Sequence, residues 1–168
     1  MKFRNCTASR LARPCLARLW PALLAAAALG WLAAPAASAQ GTPPVLPRVE
    51  LGVGIHLIHA ELARDEASRM LGLMYRRSLG SNDGMLFVFD APAQHCMWMR
   101  NTYIPLSVAF LDASGAVINV EEMQAQTDDS HCALHPARYA LEMGSHWFHL
   151  HGVRAGTVIR GVAGTPGQ

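Results

Sequence analysis

Between Leu51 and Leu57 apolar side chains fall on every second residue (Leu51, Val53, Ile55, Leu57), which is the period of a strand with one buried face. Gly52 and Gly54 interrupt that rhythm, so residues 50–61 predict a short strand, a bend and a second strand. Asp65 is suited to cap a helix running to about Leu73, with Glu66 favourable in the first turn and Met70, Leu73 and Met74 at packing spacings. Ser81-Asn82-Asp83-Gly84 is a turn signal, and Met85 to Phe89 is an apolar run of strand length that Pro92 should end. His95 to Thr102 reads as a further strand. Leu106–Asp112 and Ala116–Met123 flank Ala113-Ser114-Gly115 as the arms of a hairpin. Tyr139–Met143 predicts another strand, Ser145 a cap for one or two helical turns ending at His151 and Gly152, and Thr157–Arg160 a last short strand. Seven or eight short strands with two brief helices predict a mainly β domain, an antiparallel sandwich or barrel.

The N-terminal pattern is different. Leu19 to Ala34 is a continuous apolar run broken only by Pro21, preceded by Lys2, Arg4, Arg10, Arg13 and Arg18 and followed by Ala37-Ser38-Ala39. This is the layout of a secretory signal peptide cut between Ala39 and Gln40, and the run is short of the roughly 20 residues needed to span a bilayer. The expected product is periplasmic or secreted, without stable membrane insertion. Its layout is a lead-in over 40–47, one β domain over 48–162 and a tail over 163–168. Removal of the leader changes the charge balance, leaving nine Arg and no Lys against twelve Asp plus Glu, a net −3. A mildly acidic domain is a poor nucleic-acid binder, so nucleic acid is not expected as a partner.

Two cysteines remain, Cys96 and Cys132, and an oxidising compartment makes one disulfide the expected state. A reactive or metal-binding thiol is the alternative, though no Cys-x-x-Cys spacing occurs.

Three segments carry a resemblance to a known family: Arg69-Met70-Leu71-Gly72-Leu73-Met74-Tyr75-Arg76, Gly84-Met85-Leu86-Phe87, and Trp98-Met99-Arg100-Asn101-Thr102-Tyr103-Ile104-Pro105-Leu106. Together with Pro136 and Tyr139-Ala140-Leu141-Glu142 they resemble domain of unknown function 192 over roughly Val49 to Gly161. The resemblance implies a compact, largely antiparallel jelly-roll or barrel, often exported, with no established activity. Two positions depart from the family pattern: Arg100 stands where Lys is common, and Ser107 where an aspartate often follows the Pro-Leu pair.

If residues 95–102 were one strand, His95, Met97, Met99 and Asn101 would share one face and Cys96, Trp98, Arg100 and Thr102 the other. An exposed Trp beside Arg, Asn and Thr would suit a saccharide or an anionic group, by stacking and directional hydrogen bonds. The plainer reading makes Trp98 core and pairs Arg100 with a carboxylate such as Glu142. Arg69 and Arg76, seven apart, would share a face of a continued helix as an anion-binding patch or a solvated side. The expected ligand-binding set is therefore Arg69, Arg76, Trp98, Arg100, Asn101, Thr102 and Glu142, for a small molecule or glycan of the cell envelope. No cofactor is expected. A copper or redox accessory role through the soft donors His95, Met97 and Met99 is the alternative, and His131, His135, His146, His149 and His151 offer further imidazoles without a zinc-binding motif. An envelope hydrolase is a third reading. However, Gly-x-Ser-x-Gly and glycine-rich phosphate loops are missing, and no catalytic carboxylate pair can be assigned.

Overall fold

The computed structural model describes residues 45–163. The expected leader, the first part of the lead-in and residues 164–168 lie outside the described residues. Eight strands and two helices follow in the order β1 (Arg48–Val53), β2 (His56–Ala63), α1 (Glu66–Leu71), β3 (Asp83–Ala93), β4 (Cys96–Met97), β5 (Leu106–Leu111), β6 (Val117–Met123), β7 (His131–Cys132), β8 (Ala137–Gly144) and α2 (Trp147–Leu150). Six strands form one sheet in the order β1-β2-β3-β8-β5-β6, and β4 pairs with β7 in a separate ribbon. The domain is mainly β, as its alternation predicts. The sheet is mixed, because β2 and β3 run parallel while its other pairs are antiparallel.

Both faces of the sheet are covered, and strand alternation divides the core in two. Leu86 and Val88 of β3, Leu141 and Met143 of β8, and Ala109 and Leu111 of β5 pack on one face with Trp147 and Phe148 of α2. Met85, Phe87 and Phe89, Ala140, and Val108 and Phe110 pack on the other with Leu73 and Met99. Among the described residues no helix is long and apolar enough to cross a membrane.

Local chemistry explains the agreements. Gly54, at φ +55°, turns the chain between β1 and β2, a conformation that costs glycine little. The Asp65 carboxylate accepts the Ser68 N–H at 2.8 Å while the Asp65 N–H donates to Ser68 Oγ at 3.2 Å, a reciprocal cap that starts α1. Asp112 accepts the Ser114 and Ala116 N–H groups at 2.8 and 3.0 Å and so shapes the β5–β6 turn.

The departures have physical causes too. The helix ends at Leu71, short of Leu73, because Gly72 turns away at φ +50°. Pro92 does not end β3, which runs on to Ala93 after a register irregularity between Val88 and Ala93, the setting in which a strand tolerates proline. The expected strand over His95–Thr102 shrinks to Cys96–Met97. Beyond it the chain folds back, the Thr102 N–H donating to the Met99 carbonyl at 3.0 Å and Asn101 sitting at φ +59°. Ser145 does not cap α2: His146 holds that position at φ +63°, and the Glu122 carboxylate accepts both the Ser145 hydroxyl (3.2 Å) and the His146 N–H (3.0 Å). Thr157–Arg160 makes isolated bridges, Val158 to Ala116 and Arg160 to Gly52, in place of a strand.

Candidate functional site

Beneath α1, on the sheet face that carries Phe87, lies a pocket of about 300 Å³. One wall is the α1 end and the turn after it, from Arg69 to Met74. Phe87 and Phe89 of β3 contribute aromatic rings, and the opposite side is built by Cys96, Met97, Trp98 and Thr102. Gly72 brings the turn close to the sheet: a Cβ there would stand 3.3 Å from the Phe87 ring. At the mouth Met70 is 61% and Trp98 46% exposed.

Glu142 also lines this pocket. It belongs to β8, the strand between β3 and β5, where its neighbours across the ladder are Met85 and Val108, both fully buried. Only 4% of Glu142 is exposed, and among the described residues its carboxyl has no hydrogen-bond or ion-pair partner. Burial pushes this carboxyl up to about 8, so at neutral pH it is mostly protonated. A buried polar group without a partner is uncommon in folded proteins and marks a site where a ligand or water completes its bonding.

The expected binding residues separate into two groups. Arg69, Trp98, Thr102 and Glu142 meet around the pocket. Arg76, Arg100 and Asn101 are not among its lining residues. Because the helix stops at Leu71, Arg69 and Arg76 do not share a helical face. Arg76 instead holds Glu61, its Nη1 donating at 2.9 Å, and Arg48 approaches the same carboxylate at 3.4 Å. Burial alone would raise the Glu61 carboxyl, but the two guanidiniums outweigh it and hold it below its usual range. Arg69 is likewise engaged, with Nη2 on Asp90 at 3.0 Å and Nη1 on the Val88 carbonyl at 2.9 Å. Arg100 does not pair with Glu142; its Nε donates to Asp128 at 2.8 Å and its guanidinium lies 5.2 Å from the Trp98 ring centroid. Asn101 serves as a turn residue whose carbonyl accepts the Tyr75 N–H.

The alternation expected for 95–102 fails with the strand. Cys96, Met97, Trp98 and Thr102 all reach the pocket, whereas Met99 is fully buried in the core. His95 stacks on Phe89 with ring centroids 3.6 Å apart, its Nε2 3.0 Å from the Ala91 carbonyl oxygen, so His95, Met97 and Met99 do not form an open donor set. Among the described residues no cluster of three or more His, Cys, Asp or Glu side chains is placed to hold a metal ion. Cys96 and Cys132 are joined, facing each other across the β4–β7 ribbon, and Cys96 puts this disulfide in the pocket wall.

A more open hollow of about 550 Å³ lies beside β6 and the segment after α2. Of its polar lining residues, His149 and Arg154 are exposed, and the buried Asn119 is engaged, donating to Glu121 and to the Cys132 carbonyl and accepting the Leu134 N–H. The Glu142 pocket is therefore the better candidate.

This arrangement sits inside one matched region. Residues 49–161 match the model of the DUF192 family, described as uncharacterized ACR. The chain belongs to the DUF192 family. A solved structure from Sinorhizobium meliloti 1021, described as a candidate transcription regulator, is 32% identical over 69% of this chain and 93% of its own, with a TM-score of 0.65. A protein of unknown function from Novosphingobium aromaticivorans DSM 12444 is 30% identical over 72% of this chain and 94% of its own, with a TM-score of 0.67. No curated protein matches this sequence. Glu142 belongs to the expected binding set, and the alternative in which it pairs with Arg100 does not hold, because Arg100 is on Asp128. Met70, Leu73, Phe87 and Phe89 are lining residues that the sequence presents as ordinary core, and Met97, expected only as a soft metal donor, lines the pocket as well. The available signal was an acid inside Tyr139-Ala140-Leu141-Glu142-Met143, where strand residues are otherwise apolar.

Proposed function

We propose that this DUF192 protein is an exported small-molecule-binding domain whose ligand enters the pocket under α1 and meets Glu142 at its inner end. The observation that carries the reading is a buried carboxyl without a partner inside an apolar cavity open to solvent. About 300 Å³ accommodates roughly ten water-sized groups, which favours one ring or a short chain over a polymer. An anionic or glycan ligand is less well served than the sequence led us to expect. Arg69, Arg76 and Arg100 already hold carboxylates, and a sugar's hydroxyls would find few polar partners among the lining residues.

The leader pattern and the Cys96–Cys132 bond support export. The regulator description of the Sinorhizobium relative does not extend to nucleic-acid contact in our reading, because the residues after the leader carry net negative charge.

The test is a thermal-shift screen of small aromatic and aliphatic compounds on the mature chain and on Met70→Trp, which fills the mouth from an exposed position. Hits should raise the melting temperature of the natural chain and lose that effect in the variant. If no compound raises it, or if Met70→Trp responds equally, the pocket is not the binding site. Intact mass from the native host tests export, a chain starting at Gln40 being the expected result.

A further inference from the structure

We infer that the pocket selects small lipophilic cations, molecules in which an ammonium group is joined to a compact apolar body, with Glu142 as their counter-ion. This rests on the reading of the pocket as a ligand site and adds the charge of what it binds.

The lining residues include two ionisable groups, Glu142 and Arg69, besides a cysteine held in a disulfide. From α1, Arg69 faces the cavity with its charge already matched by Asp90 and its donors engaged by backbone carbonyls. From β3 and β5 the ladder neighbours of Glu142 are Met85 and Val108, and Trp98 and Thr102 complete the far side, none of which changes charge near neutral pH. The site is therefore electrically balanced while Glu142 keeps its proton and carries one negative charge when it does not. An anion would meet no unmatched cation there. A neutral ligand would satisfy one hydrogen bond and otherwise gain contact area. A cation gains an ionised partner in a water-poor setting, where opposite charges attract far more strongly than in bulk water. The rest of the lining suits such a guest: Phe87, Phe89 and Trp98 bring aromatic rings, Trp98 already holding the Arg100 guanidinium 5.2 Å from its centroid, and Met70, Met74 and Met97 present polarisable thioethers.

This mode of binding has a proton signature. The empty site holds a mostly neutral carboxyl at pH 7, since burial pushes Glu142 up to about 8. A cation that needs the ionised form must expel the proton, roughly 0.9 per ligand at pH 7, and its affinity must climb about fifty-fold from pH 6 to pH 8. A carbonyl or alcohol ligand would leave the proton in place, and a carboxylate would draw one in.

Calorimetric titration of the mature, disulfide-bonded chain in phosphate and in Tris separates these cases. The probes are benzyltrimethylammonium, 3-phenylpropanol and 3-phenylpropanoate. We expect the ammonium compound to bind most tightly, to release nearly one proton at pH 7, and to gain at least ten-fold in affinity between pH 6 and pH 8. Glu142→Gln should abolish both the release and the pH dependence; because proton release is read on the natural chain, the test survives a poorly folding variant. Tighter binding of the alcohol or the carboxylate, lost in Met70→Trp, overturns the cation assignment and leaves the pocket reading intact. Ammonium binding without proton release also overturns it. No binding by any probe, together with an unproductive thermal-shift screen, overturns both.

Discussion

Replacing Glu142 by Gln should change how stability depends on pH more than it changes stability itself. In the unfolded chain this carboxyl titrates near 4.5, whereas burial pushes it up to about 8 in the fold. Between those two values the native state holds a proton that the unfolded state has lost, so stability must fall as pH rises through the window and level off above it. At 1.36 kcal/mol per pH unit the full interval corresponds to about 5 kcal/mol, and the part between pH 5 and pH 8 to between about 3 and 4 kcal/mol. Glutamine is nearly isosteric and cannot ionise. It leaves an unsatisfied amide at the same place, which shifts the variant's stability by a constant but gives it no slope. Urea unfolding of both proteins at pH 5, 6, 7 and 8 isolates the effect, because every other ionisable group is common to the two chains and cancels in the difference. The natural protein should lose about 3 kcal/mol more than the variant across that range. Parallel curves would mean that Glu142 ionises freely in the fold, and the description of a buried, partnerless carboxyl would be wrong.

Two further outcomes follow from the scaffold around the site. Serine at both Cys96 and Cys132 opens a link between positions 36 apart in sequence, which the chain-entropy relation puts at about 4 kcal/mol; denaturant midpoints of the natural chain and the double variant check it, and equal midpoints would refute it. Gly84→Ala places a methyl group 2.5 Å from the Glu142 carbonyl oxygen and against the Met143 thioether, so a loss of about 2 kcal/mol is expected by thermal melting, and a change under half of that would contradict the tight β3–β8 approach.

The elements that local chemistry decides were legible in the sequence. Asp65 announced α1, Ala113-Ser114-Gly115 announced the β5–β6 hairpin, and the alternation from Leu51 announced β1 and β2. What depended on distant partners was not. Nothing near His56–Ala63 states that it will lie parallel to β3, because that pairing is set by the crossover through α1. The segment 95–102 carries strand-forming residues, yet it folds back after two of them, with Asn101 in a left-handed turn that its neighbours do not demand. The site was half visible for the same reason. Arg69, Trp98, Thr102 and Glu142 stand out as polar or aromatic residues in apolar surroundings, but whether a guanidinium is free depends on where Asp90, Glu61 and Asp128 come to rest. Glu142 gained its importance from what does not reach it.

The parallel neighbours β2 and β3 oblige the chain to leave one end of the sheet and re-enter at the other, and α1 with its following turn is the length of chain that makes the trip. Those same residues roof the cavity, while the ladder rungs below involve none of them. Repainting the stretch from Arg69 to Met74 would therefore reshape the chamber while the β3–β8 and β5–β8 rungs stay as they are. A fold arranged this way can exchange one guest for another while its foundation stays as it was.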